Sequence, residues 1–268
     1  MDLFFKTNKA LWDQWTHLNL KSPMYDMETW KTGRNSLDAI SLNALQGEID
    51  GRKILHLMCH FGQDTLSMAR MGATVTGIDI SSEAIKTART LAEDIGLADR
   101  AEFIETNIYD LPDHLDETFD LVYTSFGVLA WLSDLQEWAK IINRYLRPGG
   151  TFFIAEFHPF LYAFDFDQKQ LDFEYFGDGV PIRQVEKGNY SQRENEKEFE
   201  FYFWIHSLSQ TLRPLLDQGF QLIDFNEYNF SPYNCFPNME EREVGKYVFQ
   251  APGKIQHIPH VFSLKMKK

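Results

Sequence analysis

Gly62 and Asp79 lie seventeen positions apart in the stretch KILHLMCHFGQDTLSMARMGATVTGIDI, a spacing that suits nucleotide chemistry. A helix that starts at a glycine turn offers free backbone amides to the polar part of a ligand. An acid about 20 residues later can accept hydrogen bonds from ribose hydroxyls. The glycine fingerprint of a dinucleotide site is incomplete, because His60 and Phe61 stand where small residues would be expected. The spacing predicts a nucleotide site, with an ordinary βαβ unit as the alternative.

Glu156 and His158 form a second group with possible chemistry, at the end of a later apolar run. Residues two apart on a strand face the same side of a sheet. Ligands of open α/β sheets bind at the carboxyl ends of the strands. Either residue could therefore act as a general base for an acceptor that arrives protonated. The alternative is that they orient the segment that follows.

His56, Cys59 and His60 carry donor atoms that can bind zinc. Two of them would lie on a turn and one inside a buried strand, and no second cluster completes a tetrahedral set. We therefore expect no metal at this position.

Strand and helix signals alternate over residues 53–156, which predicts a parallel sheet with right-handed crossovers. The predicted strands are residues 54–58, 74–78, 101–105, 119–124, 151–156, 220–228 and 261–266. The predicted helix caps are Asp64 for a helix over 65–71, Ser81 or Ser82, Ser133 with Gln136, and Ser207 with Gln210. These elements would position the candidate residues at one edge of the sheet.

The 268 residues are expected to form one domain with four parts. These are an N-terminal cap (1–50) with helices near 9–18 and 37–45, a cofactor-binding core (51–158), an insertion over the site (159–200), and a C-terminal helix with closing strands (201–268). The cap holds scattered aromatic residues, and it could either pack on the sheet or close over a ligand, with Tyr25 or Trp30 reaching in. Trp131, His17 and His206 are further candidates for a substrate pocket.

Composition narrows the class of protein. A net charge of −13, with no basic block before the last lysines, argues against nucleic acid or an anionic membrane as main partner. Two cysteines cannot form a disulfide framework, and no apolar run reaches 18 residues. We expect a soluble, cytoplasmic protein, and its oligomeric state stays open.

The order of motifs resembles that of class I S-adenosylmethionine-dependent methyltransferases. ILHLMCHFG aligns with the family's first strand and its D-x-G-x-G-x-G motif, and GIDIS, ETNIYDLP, FDLVYTSFGVL and LRPGGTFFIAEFHP follow in the family's order and spacing. The first motif is similar to that of a subgroup with LHL-x-CHFG-x-DTLS. The resemblance covers about residues 45–230 plus the C-terminal strand. It implies an α/β fold with a doubly wound seven-stranded sheet, mostly parallel with an antiparallel last strand, and helices on both faces.

The first motif departs from the family pattern. His56 replaces the acid that helps to hold the methionine end of the cofactor. Met58 and His60 replace the first two glycines, and Gly62 remains. The resemblance therefore leaves open how the methionine end is held.

The resemblance implies S-adenosylmethionine as cofactor and S-adenosylhomocysteine as product. Asp79 would bind both ribose hydroxyls, and Asn107 with Ile108 would meet the adenine. Ser125 and Phe126 would lie beside the sulfonium. The full set of implied cofactor-binding residues is His56, Cys59, His60, Phe61, Gly62, Asp64, Asp79, Ile80, Ser81, Asn107, Ile108, Ser125 and Phe126.

The implied reaction is methyl transfer to a small-molecule acceptor by in-line displacement. The candidate substrate-binding residues are Tyr25, Trp30, Trp131 and His158. Families that methylate DNA bases or protein glutamine carry N/D-P-P-Y where this chain has residues 125–128, SFGV. Two alternatives stay open: a protein that binds the cofactor without turnover, and a nicotinamide-dependent oxidoreductase, against which the antiparallel closing strand counts.

Overall fold

The computed structural model describes residues 3–250, 253 and 257–268. Residues 1–2 of the predicted cap and residues 251–252 and 254–256 of the predicted C-terminal part lie outside the described residues. Among the helices that are described, none is long and apolar enough to cross a membrane.

A seven-stranded sheet forms the centre of the molecule. The strands in chain order are β1 (Lys53–Leu57), β2 (Thr74–Asp79), β3 (Ala101–Glu105), β4 (Phe119–Ser125), β5 (Leu146–Phe157), β6 (Phe164–Asp165), β7 (Gln170–Leu171), β8 (Ile182–Lys187), β9 (Glu198–Phe203), β10 (Gln221–Tyr228), β11 (Met239–Glu243), β12 (Lys246–Phe249) and β13 (Val261–Lys267). The order in the sheet is β10-β13-β5-β4-β1-β2-β3. Strands β1 to β5 are parallel, and β13 lies antiparallel between β5 and β10. The predicted doubly wound sheet with an antiparallel last strand is confirmed.

Helices cover both faces of the sheet, so its central strands are apolar on both sides. The helices are α1 (Leu3–Asn19), α2 (Met27–Lys31), α3 (Ala39–Ala44), α4 (Gln63–Arg70), α5 (Ser82–Asp94), α6 (Leu135–Tyr145) and α7 (Leu208–Asp217). Alternate residues of β5 enter different cores: Phe152 and Ile154 pack with Trp138 of α6 on one face. Phe153 and Ala155 pack on the other face, in the cluster that also contains residues of α3 and α4.

Two predicted caps are wrong by one or two residues. Helix α4 is capped by Gly62 rather than by Asp64, because Gly62 takes a left-handed conformation (φ 76°) and its carbonyl already accepts from Leu66 N. Helix α6 is capped by Asp134 rather than by Ser133, since the Asp134 carboxylate accepts from two backbone amides of the first turn. The predicted capping box of Ser207 and Gln210 on α7 is confirmed.

The segments outside the alternating core form small hairpins. Two of these hairpins, β6 with β7 and β8 with β9, lie within residues 159–203. The sequence predicts loops and hairpins in this segment. A third hairpin, β11 with β12, lies in the Pro-rich excursion before β13, where the sequence predicts no strand. Helix α1 begins earlier than the predicted residue 9, at Leu3, and packs against α5 and β9.

Candidate active site

A cavity of about 1050 Å³ opens at the carboxyl ends of β1, β2 and β4. Its walls are the sheet edge, helix α1, and the segments after β5, so residues from all parts of the chain enclose it. This volume lies at the upper end of the range of single-ligand pockets, about 300–1,000 Å³. The predicted site residues that line it are His56, Cys59, His60, Phe61, Asp64, Asp79, Ile80, Asn107, Ile108, Ser125, Phe126, Tyr25 and Trp131.

The turn after β1 keeps a glycine-type backbone although it holds larger side chains. Met58 and His60 have φ values of 58° and 52°, in the left-handed region, at the two positions where the family carries glycine. Such conformations cost about 1–2 kcal/mol for each residue other than glycine. At Gly62 (φ 76°) a side chain is also excluded by space, because a Cβ would lie 2.7 Å from the Phe103 ring. The turn is therefore held in a strained shape by its surroundings, which is typical of ligand sites.

Asp79, at the end of β2, is oriented by the turn that it faces. Its two carboxylate oxygens accept from His60 N at 2.8 Å and from Ser81 N at 2.9 Å. Burial raises the pKa of Asp79 to about 6, although these two amides and the Lys9 ammonium act in the opposite direction. The carboxylate thus lines the cavity with a fixed direction and with lone pairs left for a ligand.

Helix α1 is bound to the loop that follows β2. Lys9 Nζ donates to Ile80 O at 2.8 Å and to Glu105 Oε1 at 2.9 Å. Ser81 Oγ donates to Asp13 Oδ1 at 2.7 Å and caps α5. Ser81 therefore supports this loop and is absent from the described residues that line the cavity.

Asn107 and Ile108 line the part of the cavity beyond Ile80. Asn107 Oδ1 accepts from Tyr109 N at 3.1 Å and caps a short 3₁₀ helix, which fixes the orientation of its side-chain amide. Phe5 and Asn8 of α1 line the same cavity. The residues predicted to meet an adenine are thus brought into one cavity with the predicted ribose acid.

His56 and Asp64 present unusual polar groups to the cavity. His56 Nδ1 lies 2.7 Å from Thr65 Oγ1, and the buried Nε2 has no hydrogen-bond partner among the described residues. Burial lowers the pKa of His56 to about 3, so the imidazole is neutral. Asp64 accepts from Ser36 Oγ at 2.6 Å and lies 3.5 Å from Ser125 Oγ, and burial raises its pKa to about 6.

The rest of the cavity is a chamber with aromatic walls. The lining aromatic residues outside the sheet edge are Trp12, Trp15, Tyr25, Phe126, Trp131, Phe157, Tyr162, Tyr190, Phe201, Tyr233 and Phe236. Tyr25 and Tyr190 hydrogen-bond through their hydroxyls, and Asn19 Nδ2 donates to Tyr190 at 2.9 Å. Burial raises the pKa values of both phenols well above 10, so they remain hydrogen-bond donors at neutral pH.

Glu156 lies behind the cavity wall. Its carboxylate accepts from the amides of Gly127, Val128 and Leu129 at 2.5 to 3.0 Å. These amides belong to the loop after β4, several residues of which line the chamber. The contacts of Glu156 thus fix a wall, and they give no support to the predicted role as general base.

His158 also points away from the chamber. Its Nε2 lies 2.9 Å from Glu227 Oε1 on β10, and its Nδ1 accepts from Phe160 N at 3.1 Å. Burial lowers the pKa of His158, and Glu227 opposes that shift. Neither Glu156 nor His158 is among the described residues that line the cavity. The predicted substrate and base roles of His158 therefore remain predictions without a supporting contact.

Three more predicted pocket residues make their contacts outside the cavity: Trp30, His17 and His206. Trp30 is fully buried, and its Nε1 donates to Ser67 Oγ at 3.0 Å while the Arg70 guanidinium lies 4.6 Å from its ring. His206 Nε2 donates to Leu132 O at 2.7 Å. His17 lies on the outer side of α1, 3.4 Å from Glu83. None of the three is among the described residues that line the cavity.

Several cavity residues have no local signal in the sequence. Trp12, Tyr190 and Tyr233 lie in three separate segments that meet only in the folded chain. The single indication is compositional, because aromatic residues concentrate after residue 150, where Tyr190 and Tyr233 lie. Such enrichment indicates an aromatic site but does not select its members.

Comparisons with known proteins agree with this geometry. Residues 54–150 match a family model described as a methyltransferase domain. The chain is 33% identical over 108 residues to methyltransferase phqN of Penicillium fellutanum, a match that covers 40% of this chain and 32% of that protein. It is 25% identical over 193 residues to a ubiquinone biosynthesis O-methyltransferase of Photorhabdus laumondii subsp. laumondii, covering 71% and 76% of the two chains.

A solved structure extends the likeness to the fold. A crystal structure of a SAM-dependent methyltransferase from Methanosarcina mazei superposes with a TM-score of 0.56 at 23% identity, over 87% of this chain and 98% of that one. The matched region spans about a third of phqN, so the likeness to that relative concerns the domain alone. The sheet order agrees with these matches. Residues 54–150 therefore match a methyltransferase domain, and the chain has the fold of S-adenosylmethionine-dependent methyltransferases.

Proposed function

We propose that this protein transfers a methyl group from S-adenosylmethionine to a small-molecule acceptor. The observation that carries the proposal is that one cavity contains both the oriented carboxylate of Asp79 and an aromatic chamber. A cofactor held at the sheet edge would have its reactive end toward the chamber, where an acceptor can be enclosed.

The residues present fit the cofactor. Asp79 would accept from the ribose hydroxyls, and Asn107 with Ile108 would meet the adenine. The unpartnered Nε2 of His56 and the carboxylate of Asp64 leave polar capacity for the methionine end. When bound, S-adenosylmethionine supplies an electrophilic methyl carbon, and the protein contributes alignment and a dry site. No metal is part of this proposal.

The chamber supports a small acceptor rather than a polymer. Helix α1 and the segments after β5 enclose it, and the net charge of −13 opposes an approach of nucleic acid or of an anionic membrane. Tyr25 and Tyr190 are neutral phenols that hydrogen-bond to each other, which leaves one of their two O–H groups free to donate to the acceptor, while the aromatic rings exclude water. The relative named for ubiquinone biosynthesis O-methylation is compatible with a small acceptor.

Binding and turnover can be measured separately. Isothermal titration of the protein with S-adenosylhomocysteine and with NAD tests the cofactor, and we expect binding of S-adenosylhomocysteine only. Binding of NAD alone would overturn the proposal in favour of the oxidoreductase alternative. Formation of S-adenosylhomocysteine from S-adenosylmethionine in fractions of a metabolite pool then tests turnover. Binding without product in every fraction would favour the non-catalytic alternative.

A further inference from the structure

We propose that Asp64 binds the α-ammonium of the cofactor's methionine end, with His56 Nε2 as a neutral second acceptor. Asp64 thereby replaces the acid that the family's first motif carries at position 56. This inference rests on the proposed function and names the groups that hold the cofactor in this chain.

Position 56 cannot supply a negative charge. His56 is 2% exposed, and burial keeps its imidazole neutral at all physiological pH values. We assign the ring proton to Nδ1, which then donates to Thr65 Oγ1, and this assignment makes Nε2 a hydrogen-bond acceptor that lacks a partner among the described residues. An unpaired buried acceptor that lines a cavity indicates a ligand with a donor group at that point.

Asp64, eight positions after His56 in the sequence, provides the missing negative charge. It lies in the first turn of α4, where the helix dipole favours an anion. Its hydrogen-bond partners are the hydroxyls of Ser36 and Ser125, and no ion pair joins it to a cation among the described residues. Arg34, which lines the same cavity, pairs with Asp26 at 3.3 Å, and its charge lowers the pKa of Asp64 by less than burial raises it.

Asp64 is half-buried, and partial removal of a carboxylate from water without a paired cation is costly, so a cationic ligand group is the natural complement. The contact of Asp64 with Ser125 brings this carboxylate to the end of β4. Ser125 is the residue that the family resemblance assigns to the sulfonium end of the cofactor. Compared with the family pattern, the negative charge lies at the start of α4 instead of near the end of β1. In this proposal it faces the same end of the ligand.

The test compares two ligands on three proteins by isothermal titration. The ligands are S-adenosylhomocysteine and its analogue with hydrogen in place of the α-amino group. The proteins are the wild type, Asp64→Asn, and the double variant His56→Asp with Asp64→Asn. We expect the wild type to bind S-adenosylhomocysteine about 10- to 100-fold more tightly than the analogue, the range of a charge-assisted hydrogen bond.

Asp64→Asn should reduce that preference to about threefold or less and leave analogue binding unchanged, which also shows that the variant folds. The double variant should recover the preference, because the acid returns to its usual place in the family. Equal binding of both ligands by the wild type would overturn this inference and leave the proposed function intact. Equal loss of both ligands in Asp64→Asn would overturn it too, whereas no binding of S-adenosylhomocysteine by the wild type would remove the proposed function itself.

A separate measurement concerns the tautomer of His56. Nitrogen-15 NMR of the imidazole should show a proton on Nδ1 and none on Nε2 in the free protein. On binding S-adenosylhomocysteine, the Nε2 resonance should shift while the analogue leaves it in place. A proton on Nε2 in the free protein would overturn the role of His56 as an acceptor.

Discussion

Asp79 is held by two backbone amides, so its carboxylate is oriented before any ligand binds. We expect Asp79→Ala to weaken binding of S-adenosylhomocysteine by about 1–3 kcal/mol, because charge-assisted hydrogen bonds to the ribose are lost. Titration calorimetry measures the change, and Asp94→Ala, on an exposed residue that pairs with Lys31, is the matched control. Unchanged affinity in Asp79→Ala would show that the ribose binds elsewhere.

The raised pKa of Asp79 adds a pH dependence to this interaction. The carboxylate must be ionised to accept from both hydroxyls, and its pKa in the free protein is about 6. Affinity should therefore fall as the pH drops from 7 through about 6. This decline should be smaller in Asp79→Ala, which leaves Asp64 as the remaining acid in the cavity with a pKa near 6.

Two features restrict position 62 to glycine, its backbone conformation and the lack of space for a Cβ, and mutations can distinguish their costs. Its φ of 76° disfavours any side chain, and a Cβ would also meet the Phe103 ring at 2.7 Å. Gly96→Ala is a matched control, because Gly96 has a φ of 69° and open space around a Cβ. Urea unfolding should show a cost of about 1 kcal/mol for Gly96→Ala and a clearly larger cost for Gly62→Ala. Equal costs would mean that the Phe103 contact carries no energy.

At the scale of elements, the strands of the sheet follow from the sequence, whereas the segments that enclose the cavity do not. Strands β1, β4 and β5 contain apolar runs because both faces of a central parallel strand are buried, whereas the edge strand β3 reads AEFIE and is only partly buried. The cap of α6 is one residue later than predicted because Ser133 and Asp134 are both ordinary cap residues, and sequence alone does not choose between them. Asp64 is also an ordinary cap residue, but α4 begins two residues earlier, at the left-handed Gly62, where a Cβ would lie 2.7 Å from the Phe103 ring.

The contacts of the cap and the insertion are even harder to predict from the sequence. Asn19 donates to Tyr190, a partner 171 residues away, and no periodicity in the sequence connects them. The sequence offers Tyr25 or Trp30 as the residue that reaches into the site, and of these Trp30 hydrogen-bonds to Ser67 of α4 outside the cavity. An aromatic residue in the cap serves either a core or a pocket, and only the fold distinguishes the two.

The loop after β4 is held by Glu156, and this link between two strand ends can be tested. Glu156→Gln replaces a carboxylate that accepts from several backbone amides by an amide that can do so with one oxygen only. We expect the free energy of unfolding to fall by about 1–3 kcal/mol and the KM for the acceptor to rise. Glu198→Gln, on an exposed residue of β9, is the control.

The pH profile of kcat distinguishes positioning from base catalysis at Glu156. A positioning residue changes the magnitude of kcat and leaves the shape of its profile intact. Loss of the acidic limb of the profile in Glu156→Gln would restore the general-base assignment.

At the scale of the whole molecule, the charges of the site lower the stability of the free protein. The Asp64 carboxyl has a pKa of about 6 in the fold against 3.8 as its ordinary value, so the folded state binds its proton more tightly than the unfolded state does. Stability from this group is therefore present at low pH and is lost as the pH rises from about 3.8 through about 6. Asp64→Asn removes the cost of ionisation and should raise the free energy of unfolding at pH 7 by about 1–3 kcal/mol relative to the wild type.

The difference in free energy of unfolding between Asp64→Asn and the wild type should decline as the pH falls from 6 to 4. The wild-type carboxyl is then protonated in the folded state, so the cost of its ionisation disappears. Buried groups shared by both proteins, such as the neutral His56, contribute equally to the two curves and cancel in their difference. Urea unfolding at pH 7, 6, 5 and 4 gives this difference directly. A difference that is independent of pH would mean that Asp64 already has a counter-charge in the free protein. A pH-dependent difference would instead show that the fold carries an uncompensated charge at the place where we propose that the cofactor's ammonium binds.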